Sequence, residues 1–309
     1  MDAAPNDPNR PEGSAPLSKA AFANRLRSGE TVWAAGCHDA LSAKLAEAAG
    51  FESVMTSGFG VSASYLGQPD VELYTMTENL TVVRNVANAI RVPLVADGDT
   101  GYGNAVNVMR TVREFEQAGI AGIILEDQEG PKRCPAVANN VEILPIDEST
   151  AKIEAAAEAR RDADTLIIAR TDALTEEAAI ERAKAYVRAG ADLIQPISRC
   201  FKSLDGLKRL REACDRPLSL QILGWLEKDL APEDIEAVAG LAVFSVVSLM
   251  TATEALRRNF ETLARTHSTA ALPQPVMAMG DFKDFIGFEE VEALQTRFLV
   301  RRLEGAFDR

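Results

Sequence analysis

With 309 residues, 47% of them apolar and 26% charged, the chain can bury a large core and has the composition of an ordinary globular enzyme. A formal charge of -13 argues against nucleic acid, whose phosphate backbone needs clustered lysine and arginine, and no apolar run is long enough to cross a bilayer. An anionic substrate must therefore be drawn in by a local cation or metal rather than by the field of the whole molecule.

The opening run, MDAAPNDPNRPEGSAP, has neither a basic start nor an apolar core, so residues 1–16 are expected to be a disordered arm and not a secretory signal. A single folded domain is expected over 17–309. From Leu17 onward, short β-branched runs alternate with stretches carrying Ala, Leu, Glu and Lys at helical spacing, which is the pattern of a parallel sheet wrapped by helices. Eight runs are predicted as strands: Val32–Ala35, Ser53–Ser57, Leu94–Asp97, Gly122–Glu126, Thr165–Ala169, Asp192–Pro196, Leu218–Ile222 and Ala242–Val247. Helices are predicted over Asp39–Ala49, Val106–Ala118, Asp147–Arg160, Glu176–Ala189 and Leu204–Ala213. The segments AEAAG, EQAG, VRAG and AVAG each place a glycine where a left-handed helix cap is wanted. A repeat of roughly 25 to 40 residues predicts an α/β fold of the (β/α)8 TIM-barrel type. A doubly wound open sheet is the competing arrangement.

In a barrel the C-terminal strand ends line one mouth. Strand two would deliver Ser57, Gly58, Phe59 and Gly60, strand three Asp97 and Asp99, strand four Glu126 and Asp127, and strand five Arg170, Thr171 and Asp172. Asp97 and Asp99, in PLVADGDTGYGN, are two residues apart, so a strand end would project both from one face. Such close carboxylates repel unless something positive sits between them, and a hard cation such as Mg²⁺, or Mn²⁺ in its place, suits all-oxygen ligands. Glu126 and Asp70, the latter in GQPDVELYT, are further acids for that site. Two solvated acids capping a turn would look the same. Arg170 offers a planar fork for a substrate carboxylate, or else a salt bridge that neutralises the acids. Glycines around Ser57 either admit backbone N–H groups to an anionic oxygen or simply make a tight turn.

The segment EDQEGPKRCPAVANN (126–140) has two prolines and two basic residues in a connection without helical pattern, and is expected to be a lid. Cys134, next to Lys132 and Arg133, would have a lowered pKa and serve as proton donor, unless it is an inert loop thiol. Cys37, Cys200 and Cys214 lack C-x-x-C spacing and are read as free thiols of a reducing, cytoplasmic compartment. With His38 and His267 as the only histidines, a histidine-rich metal cage is excluded.

The runs DGDTGYGNAVNVMRTVREFEQAGIAGIILEDQ, PKRC, KIEAAAEAR, IIARTDA and ERAKAYVRAGAD together resemble the isocitrate lyase and phosphoenolpyruvate mutase superfamily over about two thirds of the chain. The resemblance implies a (β/α)8 barrel, commonly a homotetramer with a C-terminal helix exchanged between subunits, and a Mg²⁺ that stabilises an enolate of a 2-oxo acid. A dimer remains open as the assembly, and Val291–Phe307 is amphipathic enough for the exchange. By the resemblance Asp97, Asp99, Glu126 and Asp70 fall on the metal site, Ser57, Gly58 and Phe59 on the segment that holds a small anionic carboxylate substrate, and Arg170 on its guanidinium partner. Cys134 falls on the lid cysteine that carbon–carbon lyases use as general acid, with Lys132 beside it. Asp97 and Gln221 complete the expected substrate contacts.

This chain departs from the lyase pattern at four places. Pro135 and Ala136 replace the Gly-His that follows the lid cysteine. Ile197 stands for a glutamate after strand six, Gln221 for an asparagine after strand seven, and Leu249 for an arginine on strand eight. A tricarboxylate is thereby disfavoured. The expectation is a carbon–carbon lyase of a small malate-like or 2-oxo dicarboxylate. The alternatives are an oxaloacetate-type decarboxylase or hydrolase, a carbon–phosphorus mutase or hydrolase, and a catalytically silent barrel.

Overall fold

The computed structural model describes residues 16–133, 141–197 and 199–299. By the density of internal contacts the chain divides into two units, Met1–Thr251 and Ala252–Arg309. In the first unit, α1 (Lys19–Ser28) leads into β1 (Val32–Cys37), α2 (Ala40–Ala48) and β2 (Ser53–Thr56). A one-turn helix, α3 (Gly58–Val61), and a π-helical turn (Ser62–Leu66) follow, then α4 (Met76–Ala89) and β3 (Leu94–Asp97). From there strands and helices alternate through α5 (Ala105–Gln117), β4 (Gly122–Glu126), α6 (Ile146–Ala159), β5 (Leu166–Thr171), α7 (Glu176–Arg188), β6 (Leu193–Pro196), α8 (Leu204–Cys214) and β7 (Leu218–Gln221). Two short helices, α9 (Trp225–Asp229) and α10 (Pro232–Glu236), precede β8 (Ala239–Phe244) and α11 (Val247–Thr266). The eight strands are parallel and close on themselves in chain order, so the open sheet is excluded and the barrel expected from the sequence is what forms.

Strand parity sorts the side chains. Val32, Ala34, Met55, Val95, Ile124, Leu166, Ile168, Leu193, Leu241 and Val243 form one buried cluster with Phe22, Ala23 and Leu26 of α1. These alternate positions fill the barrel interior. Their neighbours Val54, Leu94, Ala96, Ile123, Leu125, Ile167, Ala169, Ile194, Leu220 and Ala242 belong to the other cluster, packed with apolar faces of the surrounding helices such as Val83, Val112, Phe115 and Leu210. Carrying the inward parity one step on brings Ser57, Asp97, Glu126, Arg170, Gln195, Gln221 and Ser245 to the inside of the C-terminal mouth.

Three sequence expectations are corrected here. Strand eight runs over Ala239–Phe244 and not 242–247, because the whole AVAGLAVFSVV run is apolar and β7 pairs with its first half through Leu218↔Ala239 and Gln221↔Val243. Gly240, expected as a helix cap, therefore lies inside β8. A Cβ there would come within 2.8 Å of Pro217 Cβ and 3.0 Å of the Leu26 carbonyl, so close packing is what requires glycine. Leu249 accordingly sits on α11 and not on the strand. The other three predicted caps hold, with Gly50, Gly119 and Gly190 at φ of 96°, 97° and 109°.

The described part of the second unit holds the remainder of α11, then α12 (Met279–Ile286) and α13 (Phe288–Phe298), neither of which buries a side chain. Residues 300–309, the end of the stretch expected to be exchanged, lie outside the described residues. Among the described residues no helix is long and apolar enough to cross a membrane.

Candidate active site

The acids converge as the parity argument requires. Asp97 ends β3, and its carboxylate accepts from Gly58 N at 3.0 Å and from Asp99 N at 3.1 Å. The first contact explains the glycine at 58: a Cβ there would lie 2.8 Å from both Asp97 Oδ2 and the Tyr74 hydroxyl. Asp99 is fully buried with a left-handed φ of 50°, which turns its carboxylate back over the mouth. Its Oδ2 accepts from the hydroxyls of Tyr74 at 2.7 Å and Tyr102 at 2.5 Å. Asn79 of α4 donates to the Tyr102 oxygen and to the Asp97 carbonyl, joining the helix to the turn.

Lys132 is only 2% exposed and carries its ammonium into this group. Its Nζ lies 2.5 Å from Asp99, 3.2 Å from Asp70 and 3.5 Å from Glu126. The sequence placed Lys132 beside Cys134; in the fold it meets the acids from β2, β3 and β4 at their common focus. Glu126, adjacent to Arg170 in the β4–β5 register, pairs with it at 2.7 Å, and Arg170 is held by Asp172 through two bonds of 2.9 Å. Asp127 points the other way and accepts from Asp172 N, Tyr186 and Arg182, which fastens β4 to β5 and α7.

Burial makes this cluster electrostatically loaded. Desolvation, reinforced by the Asp99 charge, raises Asp97 above the ordinary aspartate range. Asp70 is pushed up to about 6 by burial, against the pull of Lys132, and Glu126 to about 8 by burial, against Arg170 and Lys132. Burial would lower Lys132, but Asp99, Glu126, Asp97 and Asp70 outweigh it and hold the ammonium well above its usual value. Arg170 is likewise kept charged by Asp172 and Glu126 in spite of burial.

Of the remaining sequence candidates, Ser57 caps α3 through its hydroxyl to Gly60 N at 3.3 Å, and Phe59 is half-buried on that turn. Gln221 ends β7, where its amide donates to Gln195 at 3.1 Å and accepts from the Ser245 hydroxyl. Ser219 joins the same network through Gln195, making a polar floor on the β6–β8 side. Cys134 and the rest of 134–140 lie outside the described residues. Tyr74, Tyr102, Glu72 and Gln195 were not singled out from the sequence, although Tyr74 and Tyr102 stand inside the two acid-bearing runs, where a hydroxyl among clustered carboxylates was the available signal. A cavity of about 670 Å³, lined in part by Glu72, Tyr74, Thr100, Tyr102 and Lys152, adjoins the cluster.

Among the described residues no three acidic, thiol or imidazole groups make a ready-formed metal chelate. The acids face Lys132. Even so, among the described residues Asp70 Oδ1, Asp99 Oδ1 and Glu126 Oε2 are buried and meet only the cations of Lys132 and Arg170. Asp70, Asp97, Asp99, Glu126 and Asp172 together outnumber Lys132 and Arg170. Such hard oxygens, in excess over the cations that face them, fit Mg²⁺, which takes few direct protein ligands and keeps its own waters.

A closed parallel barrel with ionisable groups at the C-terminal strand ends is the architecture of a barrel enzyme. The family model for phosphoenolpyruvate phosphomutase matches residues 22–269. The chain is similar to 2,3-dimethylmalate lyase of Eubacterium barkeri, 38% identical over 285 residues that cover 90% of this chain and 96% of that protein. Among solved structures it is similar to phosphonopyruvate hydrolase in complex with oxalate and Mg²⁺, with a TM-score of 0.82, 33% identity, and coverage of 92% of this chain and 100% of that one. Oxaloacetate acetylhydrolase in complex with 3,3-difluorooxalacetate gives a TM-score of 0.80 at 31% identity, covering 92% of this chain and 98% of that one. The chain belongs to the phosphoenolpyruvate mutase/isocitrate lyase superfamily and is an enzyme of the lyase kind.

Proposed function

We propose that this enzyme is a Mg²⁺-dependent carbon–carbon lyase that cleaves a small malate-like or 2-oxo dicarboxylate by way of an enolate. The observation that carries the reading is the surplus of buried carboxylate at the ends of β3 and β4 and in the loop before α4, directly beside the guanidinium of Arg170. Asp97, Asp99, Glu126 and Asp70 would hold the cation, some of them through water. When bound, the cation supplies positive charge next to the oxygen on which negative charge develops.

The residues of the chain do the rest. Arg170 has five N–H donors, of which Asp172 and Glu126 engage three among the described residues, and the other two would meet a substrate carboxylate. The turn of Ser57, Gly58 and Phe59 closes against the same acids and forms the opposite wall for that carboxylate. Tyr74 and Tyr102 donate to Asp99 and fix the orientation of that carboxylate. The ammonium of Lys132 offsets part of the acid charge, which lets an anionic substrate approach. Cys134 is proposed as the acid that protonates the carbanion left by bond cleavage. Dimethylmalate lyase among the relatives supports the lyase reading, and the oxalate-bound and difluorooxalacetate-bound neighbours support a two- to four-carbon diacid as the ligand.

A second reading, hydrolysis or decarboxylation of an oxaloacetate-like substrate, is favoured by Ile197. It follows β6 directly, its N–H bonded to the Thr171 carbonyl, and puts an apolar side chain where the lyase pattern has a glutamate. Turnover of dimethylmalate, other substituted malates and oxaloacetate by the native enzyme and by Cys134→Ser separates the two. A lyase loses most of its activity in the variant, on the order of 10²-fold or more for a general acid. An unchanged rate on oxaloacetate selects the second reading.

A further inference from the structure

The acid cluster contains a lysine whose own placement needs an explanation. A lysine side chain is long and flexible, and holding it in one buried geometry costs conformational entropy. Lys132 is nevertheless aimed at a single focus by a backbone segment that follows Gly130 and Pro131. What fixes that segment is a carboxylate outside the cluster.

Glu72, in the loop after β2, has a left-handed φ of 55°, a conformation that a non-glycine residue adopts only where its surroundings enforce it. Its Oε1 accepts from the Thr100 hydroxyl at 2.6 Å and from Thr100 N at 3.2 Å, and its Oε2 accepts from Lys132 N at 3.0 Å. One side chain thus ties together the loops that follow β2, β3 and β4. The glycine at 130 leaves room for it, since a Cβ there would lie 3.0 Å from Glu72 Oε2.

We propose that Glu72 is the positioning residue of this active site: by anchoring the Lys132 backbone to the β3 turn, it keeps the Lys132 ammonium among Asp70, Asp99 and Glu126. The proposal rests on reading that cluster as the catalytic centre. Glu72 itself touches none of the three acids in the bonds described, so it acts through Lys132. A consequence follows for cation affinity. The ammonium and a divalent cation draw on the same oxygens, so releasing Lys132 should leave the acids freer to take the metal.

The test is amine labelling of the full-length protein with an N-hydroxysuccinimide ester, quantified lysine by lysine by peptide mass spectrometry, on native protein, Glu72→Ala and Thr100→Val. Lys132 should be protected in the native protein. Its labelling should rise roughly tenfold or more in Glu72→Ala and by a smaller factor in Thr100→Val, which removes one of the anchor's donors. The surface Lys184 and Lys208 and the half-buried Lys19, which pairs with Asp162, should keep their native rates. Lys132 that stays protected in both variants overturns the proposal, as does a rise shared by Lys19, which would mean general opening. Mn²⁺ titration of the same proteins gives the functional arm. Affinity should increase several-fold in Glu72→Ala and should not change further when Glu72→Ala is added to Lys132→Met. Absence of Mn²⁺ uptake in every variant would sink the proposed metal-dependent activity while the labelling still decides the role of Glu72.

Discussion

Glu126 and Asp70 ionise late because burial outweighs their cationic neighbours, and this has a sign that can be checked. Both are acids raised in the folded protein, to about 8 and about 6, so the metal-free native state binds protons that the unfolded chain would release. Their contribution to stability is full below the ordinary carboxylate range and is lost as pH rises through 6 and then 8. The metal-free melting temperature should therefore fall across that window. Mg²⁺ should restore it by a margin that grows with pH, with protons released into weak buffer on binding. A metal-induced shift that is flat with pH would contradict this. Arg170→Met should destabilise by about 3 kcal/mol in denaturant titration, because it leaves Asp172 and Glu126 buried without their partner. At this scale the sequence disclosed the acids of the D-x-D run and Arg170, since strand parity alone brings Asp97, Glu126 and Arg170 inward. It concealed Glu72, Tyr74 and Tyr102. Their loops follow no period, and positive φ at Glu72 and Tyr102 redirects side chains in a way that spacing does not encode.

The turn between β2 and α3 joins sequence to geometry most tightly among the elements. Gly58→Ala places a methyl group 2.8 Å from Asp97 Oδ2 and from the Tyr74 hydroxyl, so Asp97 must move. Turnover should drop by about 10²-fold, the penalty of a displacement near 1 Å at a reacting centre, while the unfolding midpoint changes little. Loss of cooperative unfolding would instead assign the glycine to stability. Seven of the strand predictions lay within two residues of their observed positions because apolar runs were bounded by charged or turn residues. The eighth slipped because AVAGLAVFSVV offers no such boundary. The helix Met76–Ala89 opens on a reciprocal capping box of Thr75 and Glu78, a start signal readable three residues apart in YTMTE.

At the scale of the whole molecule, the C-terminal unit carries exposed apolar surface of its own. Phe282, Ile286, Phe288, Val291, Leu294 and Phe298 of α12 and α13 are all more than a third exposed in the single chain, a run of large apolar side chains that a partner surface would cover. We expect a homotetramer or dimer in which these helices are covered. Light scattering of the native protein should give a multiple of 33.3 kDa, and Phe282→Glu combined with Leu294→Glu should lower it. A native monomer would refute the expectation. The fold and acids together imply that buried carboxylates at the ends of β3 and β4, with Asp70 from the loop before α4, gather a hard cation beside a small diacid. Titration calorimetry with Mn²⁺ in the presence of oxalate addresses it without knowledge of the true substrate. Saturable uptake of one ion per chain by the native protein, abolished by Asp97→Asn with Glu126→Gln, is the expected outcome. No uptake by the native protein, or uptake that survives loss of both acids, would contradict it.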